Sequence, residues 1–174
     1  KFRVINNAID IKKYMYNPQK RKLIRTDDKI IFGTVGRLTD QKNPLFLIDI
    51  FYEIHKKNGN TVLWLVGDGE LRCQVEERVK NLGLDDAIVM LGMRNDIADL
   101  MQAMDIFLLP SLYEGFSFVL IEAQAAGLPI FVSDSVTKEA KVTNLMEYIP
   151  LSVGAKGWAD IILSMLENIP ERKD

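Results

Sequence analysis

The sequence predicts an α/β fold in which a parallel sheet carries helices on both faces. Short runs such as residues 106–109 are apolar at every position, which is typical of strands that are buried on both faces. These runs alternate with amphipathic stretches of roughly 10 to 14 residues, as strands and helices do in parallel α/β proteins. A chain of 174 residues, of which 48% are apolar and 26% charged, is long enough to form one domain over residues 1–174.

Each element is predicted from its local pattern. The predicted strands span 30–35, 61–66, 87–91, 106–109, 130–132 and 146–149. The predicted helices span 44–57, 70–82, 96–104, 117–126 and 156–167. Pro44 suits a first helical turn because its missing N–H would be unpaired there, and Gly83 suits a helix end. We expect residues 134–145 to be irregular or to form a short helix.

Composition excludes several classes of function. The net charge of -2 implies no basic face for nucleic acid. One cysteine and one histidine exclude an internal disulfide and argue against a metal cluster or a Ser-His-Asp triad. We find neither an apolar stretch of about 20 residues nor a signal peptide, so we expect a cytoplasmic protein. The basic cluster Lys20, Arg21, Lys22 and Arg25 is predicted to be a solvated loop, which could also contact an anionic membrane surface.

Ligands of parallel α/β sheets bind at the carboxyl ends of the strands, and four loops there carry candidate residues. In the loop 33–44, Gly36 would let the chain approach a ligand closely, while Arg37 and Lys42 would grip phosphate oxygens. The loop is neither a Walker loop nor a dinucleotide-binding fingerprint. A solvated surface loop with two ordinary charges is the alternative.

Two further loops carry weaker signals. The segment Val-Gly-Asp-Gly-Glu at 66–70 is interpreted first as a structural turn that leads into the next helix. The backbone of Gly92, Met93 and Arg94 could line a pocket for a nucleobase, although from the residues alone an ordinary strand-to-helix turn is the favoured interpretation.

The segment 111–129 is the most informative part of the sequence. If its helix begins near Phe116 or Ser117, the N–H groups of Gly115, Phe116 and Ser117 point at one spot that suits a phosphate. Glu114 on the loop and Glu122 on the helix would repel a phosphate, so we expect them to bind hydroxyls next to it. Alternatively, Glu122 binds a neighbouring backbone group and Glu114 is solvated.

The four loops taken in order resemble a known family. Gly-Arg-Leu-x-x-x-Lys-Asn, Val-Gly-Asp-Gly, Leu-Gly and Pro-Ser-x-x-Glu-Gly-Phe-Ser-x-x-x-x-Glu-Ala-x-Ala-x-Gly-x-Pro are similar to the donor-binding half of the group 1 (family 4-like) glycosyltransferases. The segment from Ser133 is similar to that of bacterial exopolysaccharide and capsule members. The resemblance implies a Rossmann-like domain, one half of a GT-B fold, in a retaining hexosyltransferase.

The resemblance also implies roles for single residues. Arg37 and Lys42 would hold the diphosphate of a nucleotide sugar and stabilise the leaving group, so no metal or other cofactor is implied. Glu114 would bind the donor sugar and Glu122 the ribose. Further donor-binding residues implied by the resemblance are Gly36, Gly92, Met93, Arg94, Gly115, Phe116 and Ser117. Ser117 replaces a glycine that many members carry, and the double glycine that many use after the fifth strand is absent.

The implied partners are a nucleoside-diphosphate sugar, with uridine favoured, and an N-terminal acceptor-binding domain that this sequence does not contain. We therefore expect a fragment of a longer protein, which binds nucleotide but transfers no sugar alone. Two alternatives remain at this point: a non-catalytic nucleotide-sugar-binding module and a GT-B-type sugar-nucleotide epimerase. The missing glycine fingerprint disfavours a NAD-dependent enzyme.

Overall fold

The computed structural model describes residues 9–25, 28–166 and 172, and within them it has six strands and seven α-helices. The strands are β1 (Ile30–Val35), β2 (Thr61–Val66), β3 (Ile88–Gly92), β4 (Ile106–Leu109), β5 (Ile130–Ser133) and β6 (Met146–Ile149). The helices are α1 (Ile11–Tyr14), α2 (Pro18–Ile24), α3 (Pro44–Lys57), α4 (Arg72–Asn81), α5 (Ile97–Ala103), α6 (Phe118–Ala125) and α7 (Gly154–Leu166). Short 3-10 turns lie at Asp40–Lys42, Lys138–Ala140 and Leu151–Val153.

The six strands form one parallel sheet in the order β3-β2-β1-β4-β5-β6. This arrangement is Rossmann-like and confirms the predicted fold class. The chain crosses over between β1 and β4, so the loops that follow these two neighbouring strands leave in opposite directions. Such a switch point opens a crevice at the carboxyl edge of the sheet.

Two apolar layers cover the two faces of the sheet. Phe32 of β1 packs with Phe51 of α3 and Trp158 of α7 in the first layer. Ile31, its neighbour on β1, faces the second layer, which α5 and α6 form with residues such as Met101. Alternate residues of one strand are therefore buried in opposite directions, which explains the continuous apolar runs in the sequence.

Most predicted boundaries agree with the structure to within two residues. The predicted bounds of β1, β2, β4, β6 and α3 are confirmed at both ends. Helix α4 begins at Arg72 rather than at residue 70, because the N–H of Leu71 donates to the carbonyl of Leu38 at 3.0 Å and holds this residue outside the helix. The opening residues 1–8 and the predicted helix end at Glu167 lie outside the described residues.

The predicted solvated loop at the basic cluster is wrong, since this segment forms α2 and packs on α5. The side chain of Asn17 caps α2 by accepting from the N–H groups of Gln19 and Lys20, both at 3.0 Å. Arg21 donates from Nη1 to three carbonyls at the carboxyl end of α5, each at 3.0 Å, and pairs through Nη2 with Asp105. A cation at a helix carboxyl end satisfies carbonyls that have no partner within the helix. Arg21 is thus committed to internal contacts.

In the part of the chain that the structure describes, no helix has both the length and the apolar character needed to cross a bilayer.

Candidate functional site

Three loops at the carboxyl edge of the sheet are joined by backbone hydrogen bonds. The N–H of Gly36 donates to the carbonyl of Val66 at 2.9 Å, and the N–H of Gly67 donates to the carbonyl of Gly92 at 2.8 Å. The parallel ladder therefore continues past the strand ends, and the loops after β1, β2 and β3 form one surface.

Close packing explains the glycines of the Gly-Asp-Gly segment. Gly67 has a φ of 132°, and a Cβ there would lie 1.9 Å from the carbonyl oxygen of Gly36. A Cβ at Gly69 would lie 2.5 Å from the carbonyl oxygen of Leu38. The side chain of Asp68 accepts from the N–H of Gly69 at 2.8 Å, which lowers the pKa of its carboxyl group. These contacts agree with the structural turn predicted from the sequence.

A cleft of about 520 Å³ opens over these loops, and four of the predicted site residues line it: Gly36, Arg37, Met93 and Arg94. Residues 66–70, at and after the end of the middle strand β2, also line it. Gly92 ends β3 with a φ of 64°, and this turn leads the chain to Met93 and Arg94 in the lining of the cleft. The structure therefore brings the first and third predicted loops together around one cavity.

The two arginines of the cleft differ in their surroundings. Arg94 makes a bidentate pair with Asp96, at 2.8 Å from Nε and 2.5 Å from Nη2. This pair raises the pKa of the Arg94 guanidinium and lowers the pKa of the Asp96 carboxyl group. Arg37 is exposed and has no side-chain hydrogen bond or ion pair among residues 9–25, 28–166 and 172. Its charge is therefore available to an anion in the cleft.

Lys42 lies at the end of the 3-10 turn that follows β1 and contacts the loop after β4. Its Nζ is 2.5 Å from Oε1 of Glu114, and Oγ of Ser111 donates to the same oxygen at 2.9 Å. The Glu114 side chain is only 7% exposed and that of Lys42 20%, so this ion pair is largely shielded from water. The aliphatic part of Lys42 packs against Gly36, where a Cβ would come within 3.2 Å of Cε.

Arg37 and Lys42 also share a small recess at the switch point between β1 and β4, which Thr34 and Leu109 help to line. The two predicted phosphate-binding cations therefore lie at the crevice where parallel α/β sheets bind their ligands.

The start of α6 differs from the prediction. The first helical residue is Phe118, with the buried Ser117 as the N-cap, rather than Phe116 or Ser117. Gly115 and Phe116 lie in the bend before the helix, because Ser117 has an extended backbone with φ of -93° and ψ of 110°. The unpaired N–H groups of the first helical turn thus begin at Phe118 and Val119 rather than at Gly115.

Glu122, in the second turn of α6, has a partner that sequence reasoning missed. The hydroxyl of Tyr14 donates to Oε1 of Glu122 at 2.6 Å. Burial, and then this hydrogen bond, raise the pKa of the Tyr14 phenol well above its usual value. A helix of four residues has no detectable periodicity, and no motif points to a tyrosine 108 positions before its partner.

The predicted site residues are of two kinds, and the two glutamates and the first turn of α6 do not line the cleft of about 520 Å³. Arg37, Lys42 and the first turn of α6 favour anions, whereas Glu114 and Glu122 each have one carboxylate oxygen held and a second, Oε2, without a donor in the described part of the chain. Such carboxylates accept from hydroxyl groups. No group of three or more His, Cys, Asp or Glu side chains in the described ranges is arranged to hold a metal ion.

Residues 16–174 match the family described as "Glycosyl transferases group 1". The chain is 36% identical over 169 residues to the glycosyltransferase EpsF of Bacillus subtilis, covering 91% of this chain and 43% of EpsF. It is also 36% identical over 142 residues to the UDP-Gal:alpha-D-GlcNAc-diphosphoundecaprenol alpha-1,3-galactosyltransferase of Escherichia coli, covering 77% of this chain and 37% of that enzyme. The chain thus spans less than half the length of either relative.

Solved structures agree with the sequence relatives. HepE of Anabaena, in complex with UDP and glucose, superimposes with a TM-score of 0.84 at 25% identity, covering 95% of this chain and 47% of HepE. The C-terminal domain of the group 1 protein LpcC of Francisella tularensis has the same fold, with a TM-score of 0.79 at 19% identity, covering 92% of this chain and 88% of that domain. By its sequence and its fold, the chain belongs to the group 1 glycosyltransferases.

Proposed function

We propose that this chain is the donor-binding half of a retaining glycosyltransferase that moves a sugar from a nucleoside-diphosphate sugar to a glycan or lipid-linked acceptor. The observation that carries the proposal is the position of Arg37 and Lys42 at the switch point, with Glu114 held against Lys42. In this arrangement a cationic site for a diphosphate adjoins a carboxylate for sugar hydroxyls.

Each group has a defined task in the proposed reaction. The diphosphate lies between Arg37, Lys42 and the first turn of α6. An ammonium group has three donors, so Lys42 can hold Glu114 and a phosphate oxygen at the same time. Negative charge grows on the diphosphate as the bond to the sugar breaks, and the two cations stabilise it without a metal ion. Glu114 binds hydroxyls of the donor sugar and thereby orients its reacting carbon.

The nucleotide is proposed to be a uridine diphosphate. HepE, which is 26% identical to this chain, was crystallised with UDP-glucose. The Escherichia coli relative is named for UDP-Gal. In this chain the base would occupy the cleft beside Met93 and Arg94, and Glu122 would bind the ribose.

The acceptor is proposed to bind to an N-terminal domain, because the relatives are more than twice as long as this chain. The names of the relatives favour exopolysaccharide or lipid-linked glycan synthesis. Such acceptors would place the whole protein in the cytoplasm, in peripheral contact with the inner membrane.

Titration calorimetry of the chain with UDP and GDP tests the binding half of this proposal. We expect UDP to bind more tightly, and Arg37→Ala to weaken it at least tenfold. The matched control is Arg78→Ala, because Arg78 pairs with Asp49 on α3, away from the cleft. No heat from either nucleotide would reject the proposal.

Turnover by the whole protein separates an enzyme from a binding module. Removal of one group that stabilises developing charge costs about 10²- to 10³-fold in kcat. We expect a loss of this size for Arg37→Ala in sugar transfer. A whole protein that binds UDP-sugars but neither transfers nor epimerises them would be a binding module, and one that only epimerises the sugar would be an epimerase.

A further inference from the structure

The contact between Tyr14 and Glu122 joins the first described helix to the proposed nucleotide site. Tyr14 is 8% exposed, and its hydroxyl lies 2.6 Å from Oε1 of Glu122. Helix α1 packs against both α5 and α6, so the phenol reaches Glu122 from a neighbouring element rather than from α6 itself. The contact is therefore part of the tertiary structure.

The backbone that carries Tyr14 is itself anchored. Gln102 of α5 is 1% exposed and donates from Nε2 to the carbonyl of Tyr14 at 3.1 Å. Its Oε1 accepts from the N–H of Asn17 at 2.8 Å. These two bonds fix the chain on both sides of the turn between α1 and α2, so the phenol has little freedom to leave Glu122.

The anchored phenol restricts the carboxylate. Side chains on a helix lean toward its N-terminus, so Glu122 is directed back along α6 toward the end where the diphosphate is proposed to lie. The hydrogen bond from Tyr14 to Oε1 restrains the carboxylate and leaves Oε2 as the oxygen that can accept from a ligand. A tyrosine hydroxyl is protonated at neutral pH, and burial raises the pKa of Tyr14 further, so the phenol stays a donor.

We propose that Tyr14 is a positioning residue that orients Glu122 toward the ribose hydroxyls, so that the segment before the sheet sets the preference for ribonucleotides over deoxyribonucleotides. The inference rests on the proposed function, since it requires a nucleotide in this cleft. It adds a residue that touches no part of the ligand but determines how one ligand contact is made.

The test compares UDP with 2′,3′-dideoxy-UDP, which lacks the hydroxyls that Glu122 would bind. Calorimetry on the wild-type chain and on Tyr14→Phe gives four affinities. We expect Tyr14→Phe to weaken the binding of UDP by about tenfold, which is the size of one hydrogen bond between the ribose and a charged group such as Glu122. The affinity for the dideoxy compound should change by less than about twofold, because no bond to Glu122 is left to lose.

Three variants make the comparison specific. Tyr148→Phe is the matched control, because the Tyr148 hydroxyl donates at 3.1 Å to the backbone carbonyl of Thr137, and it should not change UDP affinity. In a Glu122→Ala background, Tyr14→Phe should have no further effect on UDP. If Tyr14→Phe does not fold, Gln102→Met serves instead, because it loosens the anchor of Tyr14. It should weaken the binding of UDP more than the binding of the dideoxy compound.

The outcomes separate this inference from the proposed function. A wild-type chain that binds neither compound rejects the proposed function. The other outcome requires a wild-type chain that prefers UDP. If Tyr14→Phe then weakens the binding of both compounds equally, or of neither, the role of Tyr14 is rejected and the proposed function stands.

Discussion

Replacement of Lys42 by methionine should destabilise the fold as well as weaken nucleotide binding. The variant keeps most of the aliphatic stem that packs against Gly36 and removes the ammonium group with its charge and its hydrogen-bond donors. The Glu114 side chain, which is only 7% exposed, would then keep one donor among the described residues. This donor is the Ser111 hydroxyl, 2.9 Å from Oε1.

The magnitude follows from this burial. Removal of one partner from a buried ion pair costs about 3–5 kcal/mol, because the remaining charge is left uncompensated. The Lys42 side chain is 20% exposed, so water can partly replace the ammonium group, and we expect about 3 kcal/mol. For a chain of this length each kcal/mol lowers Tm by about 2–4 °C, so the expected decrease is about 6–12 °C.

Urea unfolding and calorimetric melting of three variants test this reasoning. The double variant Lys42→Met with Glu114→Gln removes the buried charge and should recover about 1–2 kcal/mol of the loss. The control Lys57→Met breaks an ion pair with Asp160 whose side chains are 42% and 48% exposed, and should cost less than about 1 kcal/mol. Equal losses for Lys42→Met and Lys57→Met would refute the argument.

Further predictions concern the turn, the phenol and the anchor. In urea unfolding, Gly67→Ala should lower the free energy of unfolding by more than about 3 kcal/mol, because it combines a φ of 132° with the overlap at Gly36. Gly83→Ala, with a φ of 65° and no close neighbour, should lower it by about 1 kcal/mol. Gly59→Ala has neither problem and should change it by less than about 0.5 kcal/mol. Because the folded-state pKa of Tyr14 is raised, its contribution to stability is complete below the unfolded pKa of about 10 and is lost as pH rises above it; Tyr14→Phe should flatten this alkaline limb, and an unchanged limb would contradict the assignment. Gln102→Ala should speed amide exchange in α1 and α2 more than in β1, and equal protection in both variant and wild type would contradict the anchoring role.

The sheet and its flanking helices were predictable because their residues are buried on both faces or follow helical spacing. Strand β4 consists of consecutive apolar residues, and β1 and β2 are largely apolar. Helix α3 has a long amphipathic pattern that begins with Pro44. Helix α1 has four residues, too few for any period to be visible. Helix α2 was missed because a run such as Lys20 to Lys22 resembles a solvated segment.

The candidate site was predictable as a set of loops, because the carboxyl ends of parallel strands meet at one edge. The ion pairs and hydrogen bonds between the side chains of these loops were not predictable. Lys42 and Glu114 are 72 residues apart, and no local pattern indicates that one neutralises the other. Tyr14 and Arg21 likewise depend on partners on other helices, which only the tertiary packing brings near. The start of α6 was misplaced because the extended backbone of Ser117 delays the helix by one residue.

A crystal structure of the chain with UDP would test the central claim most directly. We predict electron density for the diphosphate between Arg37, Lys42 and the first turn of α6, with the ribose hydroxyls within hydrogen-bond distance of Glu122 Oε2. The uracil should lie in the cleft beside Met93. Density for UDP at another surface, or no density at a concentration that saturates binding in solution, would contradict the account.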